Sequence, residues 1–129
     1  MEKTSREVRL AEGEYRFASL VWANEPLHSG ELAALSAQSL GWKKSTAYTV
    51  LKKLCERGVL KNEGGTVTAL IKQDEVRRSV SAEVVEKNFD GSLPSFVAAF
   101  LNGRGVSAED AAEIRTMLDK ARGSGEGDE

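Results

Sequence analysis

The residues best suited to a specific chemical task lie between positions 41 and 61, in what we term the cationic segment. It holds six basic side chains and one acidic one, in a chain whose net charge is −2. The basic residues are Lys43, Lys44, Lys52, Lys53, Arg57 and Lys61. Between them stand small hydroxyl and aromatic side chains, namely Ser45, Thr46, Tyr48 and Thr49. Lysines neutralise nucleic-acid phosphates, whereas hydroxyl and aromatic groups can reach base edges. The composition therefore indicates a nucleic-acid interface.

A helix over residues 44–57 would position these side chains. Its apolar residues recur at the three- and four-residue spacing of an amphipathic helix. They are Ala47, Val50, Leu51, Leu54 and Cys55. Gly58 follows where a left-handed residue would end the helix. With the apolar side turned inward, the outer side carries Ser45, Tyr48 and Thr49 at its amino-terminal end, and lysines follow one turn later.

Two helices before this one and a hairpin after it complete the arrangement. Apolar spacing predicts a first helix that ends near Ala23, and Ser29 is a favourable N-cap for a second helix over residues 30–38. Two β-prone segments around a turn at 62–65 predict a hairpin. Residues 10–72 are therefore expected to form a winged helix-turn-helix domain, with the hairpin as its wing. In that arrangement the amino-terminal end of the third helix enters the major groove.

Three further helices are predicted in the rest of the chain. The first should span roughly residues 75–88, with Asp74 as its cap. The second should follow Ser92, and the third should run from Ser107 to about Arg122. The fold class expected is therefore mainly α with a small β-hairpin, comprising the winged helix-turn-helix domain and a C-terminal helical region.

The C-terminal helical region, residues 73–122, carries more large apolar side chains than three short helices can bury among themselves. We expect many of them to cross the two-fold interface of a homodimer. The candidate dimerisation residues are Val80, Val84, Phe96, Val97, Phe100, Leu101, Ile114 and Leu118. A dimer would read two half-sites, which is needed because each mismatched base pair costs only about 1–3 kcal/mol. Residues 1–9 and the acidic, Gly-rich tail 123–129 are expected to be disordered.

Composition argues against several other classes. The 129 residues contain one cysteine, Cys55, and one histidine, His28, which leaves too few ligands for a Cys- or His-based metal site. The sequence has no nucleophile–base constellation and no phosphate-binding loop. It has no apolar run of about 20 residues and no signal sequence at its amino terminus. We therefore predict a cytoplasmic protein without membrane insertion, metal or cofactor, and not an enzyme.

Two simpler interpretations remain open for the cationic segment. It could be an ordinary solvated helix with lysines on its outer face. It could also belong to a winged-helix module that binds another protein and no DNA. The aromatic residues Tyr15, Phe17, Trp22 and Trp42 are expected to pack in the core and at helix junctions, and Cys55 is expected to act as a small buried hydrophobe rather than a redox-sensing thiol.

Several stretches together carry a family resemblance. They are Glu14-Tyr15 with Leu20-Val21-Trp22, Ser29-Gly30-Glu31-Leu32, the run from Trp42 to Gly58, Ser92-Leu93 with 96–100, and Ser107 with Glu113-Ile114 and Leu118. In this order they resemble the penicillinase-repressor (BlaI/MecI/CopY) family over about residues 10–121. The resemblance implies a dimeric transcriptional repressor that binds a palindromic operator in double-stranded DNA through its winged helix.

The resemblance also implies a release mechanism. In family members a membrane-bound sensor protease can trigger cleavage in the C-terminal helical region, and the matching place here is Ala99-Phe100. Ala99 stands where the cleaved members have asparagine, and Tyr48 stands where an arginine often reads bases. The wing tip Glu63-Gly64-Gly65 is acidic and small instead of basic. The cysteine-rich tail of copper-responsive members is absent, which argues against metal sensing.

Overall fold

A computed structural model describes residues 8–127 of the chain, with side chains up to residue 123. Within this range there are six helices and three strands: α1 (Glu12–Asn24), β1 (Leu27–His28), α2 (Ser29–Leu40), α3 (Lys44–Glu56), β2 (Leu60–Glu63), β3 (Thr66–Ala69), α4 (Gln73–Phe89), α5 (Leu93–Leu101) and α6 (Ala108–Gly127). The predicted fold class is confirmed. The chain divides between Val84 and Val85 into two compact units. No helix in the described range is long and apolar enough to cross a membrane.

The first unit has one hydrophobic core, to which α1, α2, α3, the sheet and the start of α4 all contribute. Its largest fully buried apolar side chains are Phe17, Val21, Leu32, Leu54, Leu60, Val67 and Val76. Full burial of one such side chain stabilises the fold by about 1.5–3 kcal/mol. Leu54 belongs to α3 and is completely buried, so this helix is held firmly against the core.

The wing is an antiparallel hairpin in which Leu60 pairs with Ala69 and Glu63 pairs with Thr66. Its two-residue turn, Gly64-Gly65, has φ angles of 60° and 97°, a geometry that favours glycine at both positions. The predicted hairpin is confirmed. The sheet also has a third strand that the sequence does not predict: β1 pairs with β3, so the strand order is β1-β3-β2. Two residues are too few to show a strand periodicity.

The cap of α2 differs from the prediction. His28, and not Ser29, is the N-cap, because its Nδ1 accepts a hydrogen bond from the backbone N–H of Gly30 at 3.0 Å. Glu31 completes the cap by accepting from the N–H of His28 at 2.9 Å. Ser29 therefore becomes the first residue of the helix, since the imidazole supplies the acceptor expected from its hydroxyl. The helix continues to Leu40, beyond its predicted end.

The first turns of α4 belong to the first unit. The boundary between the two units therefore lies after Val84, and the boundary between domains was predicted after residue 72. Val76 is fully buried in the core, and α4 begins at Gln73, so Asp74 lies within the helix instead of before it. The two residues ahead of Leu10 also pack here, although residues 1–9 were expected to be disordered. The N–H of Val8 donates to Ser79 Oγ, and Arg9 forms an ion pair with Glu83. Residues 1–7 lie outside the described range.

The second unit contains α5 and α6. Ser92 caps α5 by accepting from the N–H of Ser95, and Ser107 accepts from the N–H of Asp110 at the start of α6, as predicted. Phe89 and Phe96 meet edge to face with ring centroids 5.5 Å apart. The last helix extends to Gly127, past its predicted end near residue 122. Residues 128 and 129 of the predicted disordered tail lie outside the described range.

Candidate nucleic-acid interface

The sequence-predicted interface lies on the outer side of α3. Ala47, Leu51 and Leu54 face the core and are buried, as expected from their spacing. The opposite side exposes Ser45, Thr46, Tyr48, Thr49, Lys52 and Lys53. Tyr48 is 38% exposed, so its ring stands on the surface one turn from the start of the helix. On this side of the helix, hydroxyl and aromatic groups near the amino-terminal end are therefore followed one turn later by the cationic groups of Lys52 and Lys53.

The turn between α2 and α3 fixes the direction in which α3 leaves the core. Gly41 ends α2 in a left-handed conformation with a φ of 72°. The next residue, Trp42, stacks on Phe17 of α1 with ring centroids 5.5 Å apart and planes inclined by 12°. Its indole also meets Gly13, where an added Cβ would lie 3.4 Å away. Trp42 therefore anchors the turn to α1, as predicted for a helix-junction residue.

Three lysines of the cationic segment are available to an anionic partner. Lys43, Lys44 and Lys52 are exposed. Among the side chains described, up to residue 123, no carboxylate forms an ion pair with any of the three. Lys43 and Lys44 lie at the amino-terminal end of α3, which is also the positive end of the helix dipole. The first turn of α3 contains no acidic residue. This end of α3 therefore presents an uncompensated positive surface.

The other end of α3 is compensated by one carboxylate on α1, which sequence reasoning missed. Glu14 accepts from Arg57 at 3.0 Å and pairs with Lys53 at 3.4 Å. It also accepts from the backbone N–H of Ala11 at 2.9 Å. Burial alone would raise the pKa of Glu14, but the Ala11 N–H and the two cations together hold that pKa below its usual value. Part of the positive charge of the cationic segment is therefore used inside the fold.

A short N-terminal segment, residues 8–11, joins the end of α3 to α4. The guanidinium of Arg57 donates to the carbonyl oxygen of Arg9. The Arg9 side chain in turn pairs with Glu83 of α4 at 2.7 Å. The N–H of Val8 donates to Ser79 Oγ at 3.1 Å. The orientation of α3 is thus tied to α4 through residues that the sequence alone assigned to a disordered end.

The wing is tied to α2 instead of standing free. The N–H of Ser29 donates to the carbonyl oxygen of Gly65 at 2.8 Å. The His28 imidazole lies so close that a Cβ at Gly65 would be 2.9 Å from its Nε2. Lys61, the wing lysine predicted to contact DNA, is exposed and pairs with Glu63 at 3.4 Å. The wing tip itself offers glycine backbone and an acidic side chain.

Other residues singled out in the sequence are structural. Trp22 donates its indole N–H to the carbonyl oxygen of Ile71 at 3.0 Å and meets Tyr15 edge to face. Cys55 is half-buried and packs against the core. Burial raises the pKa of its thiol, which favours the unreactive protonated form. Among the residues that the structure describes, no cluster of His, Cys, Asp and Glu could hold a metal ion.

The candidate dimerisation residues are largely accessible. Val80, Val97, Phe100, Leu101, Ile114 and Leu118 are exposed, whereas Val84 and Phe96 are half-buried. Three further apolar residues that the prediction omitted are exposed in the same way, namely Leu93, Val106 and Met117. Both residues of the expected release site, Ala99 and Phe100, lie within α5 and are exposed.

Comparison with known proteins gives this surface a context. A model of the penicillinase repressor family matches residues 10–120. The methicillin resistance regulatory protein MecI of Staphylococcus aureus is 18% identical to the chain over 115 residues, which cover 86% of this chain and 94% of MecI. Among solved structures, the transcriptional regulator Tm0710 of Thermotoga maritima is 21% identical with a TM-score of 0.46, covering 92% of this chain and 78% of Tm0710. The transcription regulator MepR of S. aureus is 14% identical with a TM-score of 0.44, covering 89% of this chain and 79% of MepR.

The family match includes the whole winged helix and most of the C-terminal helical region. It begins at Leu10, ahead of α1, and ends at Lys120 within α6. The helix-turn-helix, the wing and the exposed face of α3 all fall inside it. The chain belongs to the penicillinase repressor family of DNA-binding transcriptional regulators.

Proposed function

We propose that this chain acts as a homodimeric repressor that binds a palindromic operator in double-stranded DNA. In this proposal α3 enters the major groove with its amino-terminal end foremost. Ser45, Tyr48 and Thr49 then face base edges, and Thr46 approaches a phosphate or a thymine methyl group. Lys43, Lys44, Lys52, Lys53 and Lys61 contact phosphates.

The observation that carries the proposal is the uneven charge along α3. Its amino-terminal end and middle expose lysines without an internal counter-ion, whereas the positive charge at its carboxyl-terminal end is partly neutralised by Glu14. A helix whose lysines are only solvated has no need for such a difference in charge between its two ends. A helix that docks end-on into a groove concentrates its phosphate contacts near the end that enters.

A dimer supplies the second half-site. The exposed apolar side chains of α5 and α6, such as Phe100 at 53% and Ile114 at 46%, are costly to leave in water. We place the two-fold interface on these residues together with Val97, Leu101 and Leu118. Half-buried Phe96 and Val84 and exposed Val80 would complete it.

Release by a membrane-bound sensor protease is a further part of the proposal. The Ala99–Phe100 bond lies in the last turn of α5, which ends at Leu101. Terminal helical turns fray more readily than central ones, which would let the bond enter a protease. Cleavage there would separate the winged helix from half of the proposed interface residues, namely Phe100, Leu101, Ile114 and Leu118. Mass analysis of the protein from cells given an inducing signal should then show a new carboxyl terminus at Ala99.

The central test is binding to duplex DNA as the salt concentration varies. A fluorescein-labelled duplex from the region next to the protein's own gene and a shuffled duplex of equal length serve as the two ligands. The three uncompensated lysines of each chain alone would give a dimer six phosphate contacts, so log K should fall with log salt with a slope of at least about −5. The slope should approach about −9 when Lys53 and Lys61 also contact phosphates. Binding that is absent, or that does not change with salt, would favour the protein-interaction module instead.

A further inference from the structure

A second candidate binding site lies on the first unit, away from the outer face of α3. A cavity of about 490 Å³ opens between the start of α1 and α4. It is lined by Leu10, Glu12, Tyr15, Val76, Arg77, Val80 and Ser81. Its size falls within the range typical of small-molecule sites, about 300–1,000 Å³. The proposed function places one lining residue, Val80, in the dimer interface but assigns the cavity itself no role.

The lining combines apolar walls with a small set of polar groups. Leu10, Val76, Val80 and the ring of Tyr15 supply the walls, and Val80 is 44% exposed. Apolar surface left open to water beside a few polar groups that point the same way is typical of a ligand site.

The polar groups of the lining indicate the charge of the ligand. The Tyr15 hydroxyl accepts from the Gln73 amide at 3.1 Å, and this contact, together with nearby Arg77, lowers the pKa of Tyr15 despite its burial. In the part of the chain that the structure describes, no carboxylate pairs with Arg77. A guanidinium without a carboxylate partner beside an apolar cavity suits a carboxylate on the ligand. Glu12, an exposed residue of the lining, disfavours a ligand with more than one negative charge.

We propose that this cavity binds a small amphipathic monocarboxylate with an apolar ring. The ring would lie against Leu10, Val76 and Val80, and the carboxylate would accept from Arg77 and the Tyr15 hydroxyl. Leu10 belongs to the N-terminal segment, which also carries the Arg9 carbonyl that holds Arg57 at the end of α3. A bound ligand would therefore sit beside the link between α3 and α4.

The test is a titration of the full-length, ¹⁵N-labelled protein with 4-tert-butylbenzoate, without DNA, so that its outcome does not depend on DNA binding. We expect saturable amide shifts clustered at residues 10–15 and 76–81. The neutral isostere 4-tert-butylbenzamide and the Arg77→Gln variant should each bind more weakly by about fivefold or more, as expected when a charge-assisted hydrogen bond is removed.

Arg78→Gln is the matched control, because Arg78 is the next residue of α4, is exposed and does not line the cavity. It should leave the affinity unchanged. Equal weakening by the two arginine variants would show general attraction to a positive surface and would overturn the proposal. Equal affinity for the amide, or no saturation in the wild-type titration, would overturn it as well.

Discussion

Glu14 on α1 accepts a hydrogen bond from Arg57 at the carboxyl-terminal end of α3, with 3.0 Å between Oε1 and Nη1. The same carboxylate holds Lys53, and Arg57 also donates to the carbonyl of Arg9. Two basic residues of the cationic segment, of which only Lys53 was predicted to contact DNA, are thus engaged with the rest of the first unit. The result is a division within α3, whose beginning is available to a partner and whose end sets the orientation of the helix.

This division predicts different effects for two adjacent lysines. Lys52→Gln should weaken binding to all duplexes and reduce the magnitude of the salt slope by about 0.9 for each phosphate that is no longer neutralised. Lys53→Gln should have the smaller effect, since Lys53 must leave Glu14 before it can reach a phosphate. Anisotropy titrations at several salt concentrations measure both effects. Lys120→Gln on α6 is the control, and a larger loss of affinity for Lys53→Gln than for Lys52→Gln would contradict the assignment.

Tyr48 is expected to contribute sequence preference rather than general affinity. Its ring is exposed at the amino-terminal end of α3, where base edges would lie. Tyr48→Ala should therefore reduce the difference in binding free energy between operator and random duplexes. The reduction should be about 1–3 kcal/mol for the loss of a full base contact. Tyr48→Phe retains the ring and separates stacking from hydrogen bonding. Equal losses of affinity on operator and random duplexes would show that Tyr48 does not read bases.

Removing the charge of Glu14 should destabilise the first unit in a pH-dependent way. At neutral pH Glu14→Gln is expected to lower the free energy of unfolding by about 1 kcal/mol. The pKa of Glu14 is lowered in the folded state, so its contribution is complete above the unfolded value near 4.5 and is lost as pH falls through the folded pKa. Urea unfolding should therefore show the wild type and the variant converging in acid.

Glu12→Gln provides the comparison for that experiment. Glu12 lies in the same first turn of α1 but is exposed, and neither Lys53 nor Arg57 pairs with it. Its substitution should change stability by less than Glu14→Gln. A constant difference between wild type and Glu14→Gln from neutral to acidic pH would show that the ion pairs are not its source.

The proposed interface predicts a change in oligomeric state. Phe100→Glu would place a charge among the apolar residues of α5 and should shift the protein from dimer to monomer. Sedimentation equilibrium at several micromolar concentrations measures this directly. Lys120→Glu, an exposed charge change on α6, should leave the dimer intact. A wild-type protein that remains monomeric at these concentrations would remove the dimer from the proposal.

The two wing glycines should respond unequally to the same substitution. Gly64→Ala meets nothing within 4 Å and carries only the left-handed strain of its φ of 60°, about 1–2 kcal/mol. Gly65→Ala adds a contact of 2.9 Å with His28 Nε2 and should cost more. A second change, His28→Ala, should relieve part of that extra cost. Additive decreases in the free energy of urea unfolding would mean that His28 and the wing tip are independent.

The sequence is sufficient to predict those helices and strands that have strong local patterns. The stripe of Ala47, Leu51 and Leu54 predicts α3, and the Gly-Gly turn predicts the wing, because both signals lie within a few residues. These local patterns are enough to locate the exposed face of α3.

The features missed by the sequence depend on partners far along the chain. Strand β1 exists because Leu27 pairs with Val67, and the Glu14 contacts join α1 to residues about 40 positions later. The choice of His28 over Ser29 as cap follows from the placement of its ring beside the wing. Periodicity reports which side of an element is apolar, but it does not identify the residue that this element will meet.

The sheet also constrains how two copies can meet. One edge is β1, which has only two residues, and the other is β2, whose Lys61, Asn62 and Glu63 are all exposed. Short edge strands and charged edge residues both discourage strand-to-strand addition. Self-association through a continuous intermolecular sheet is therefore disfavoured at both borders, which agrees with the proposed assembly through helices and would leave each wing separate when two copies come together.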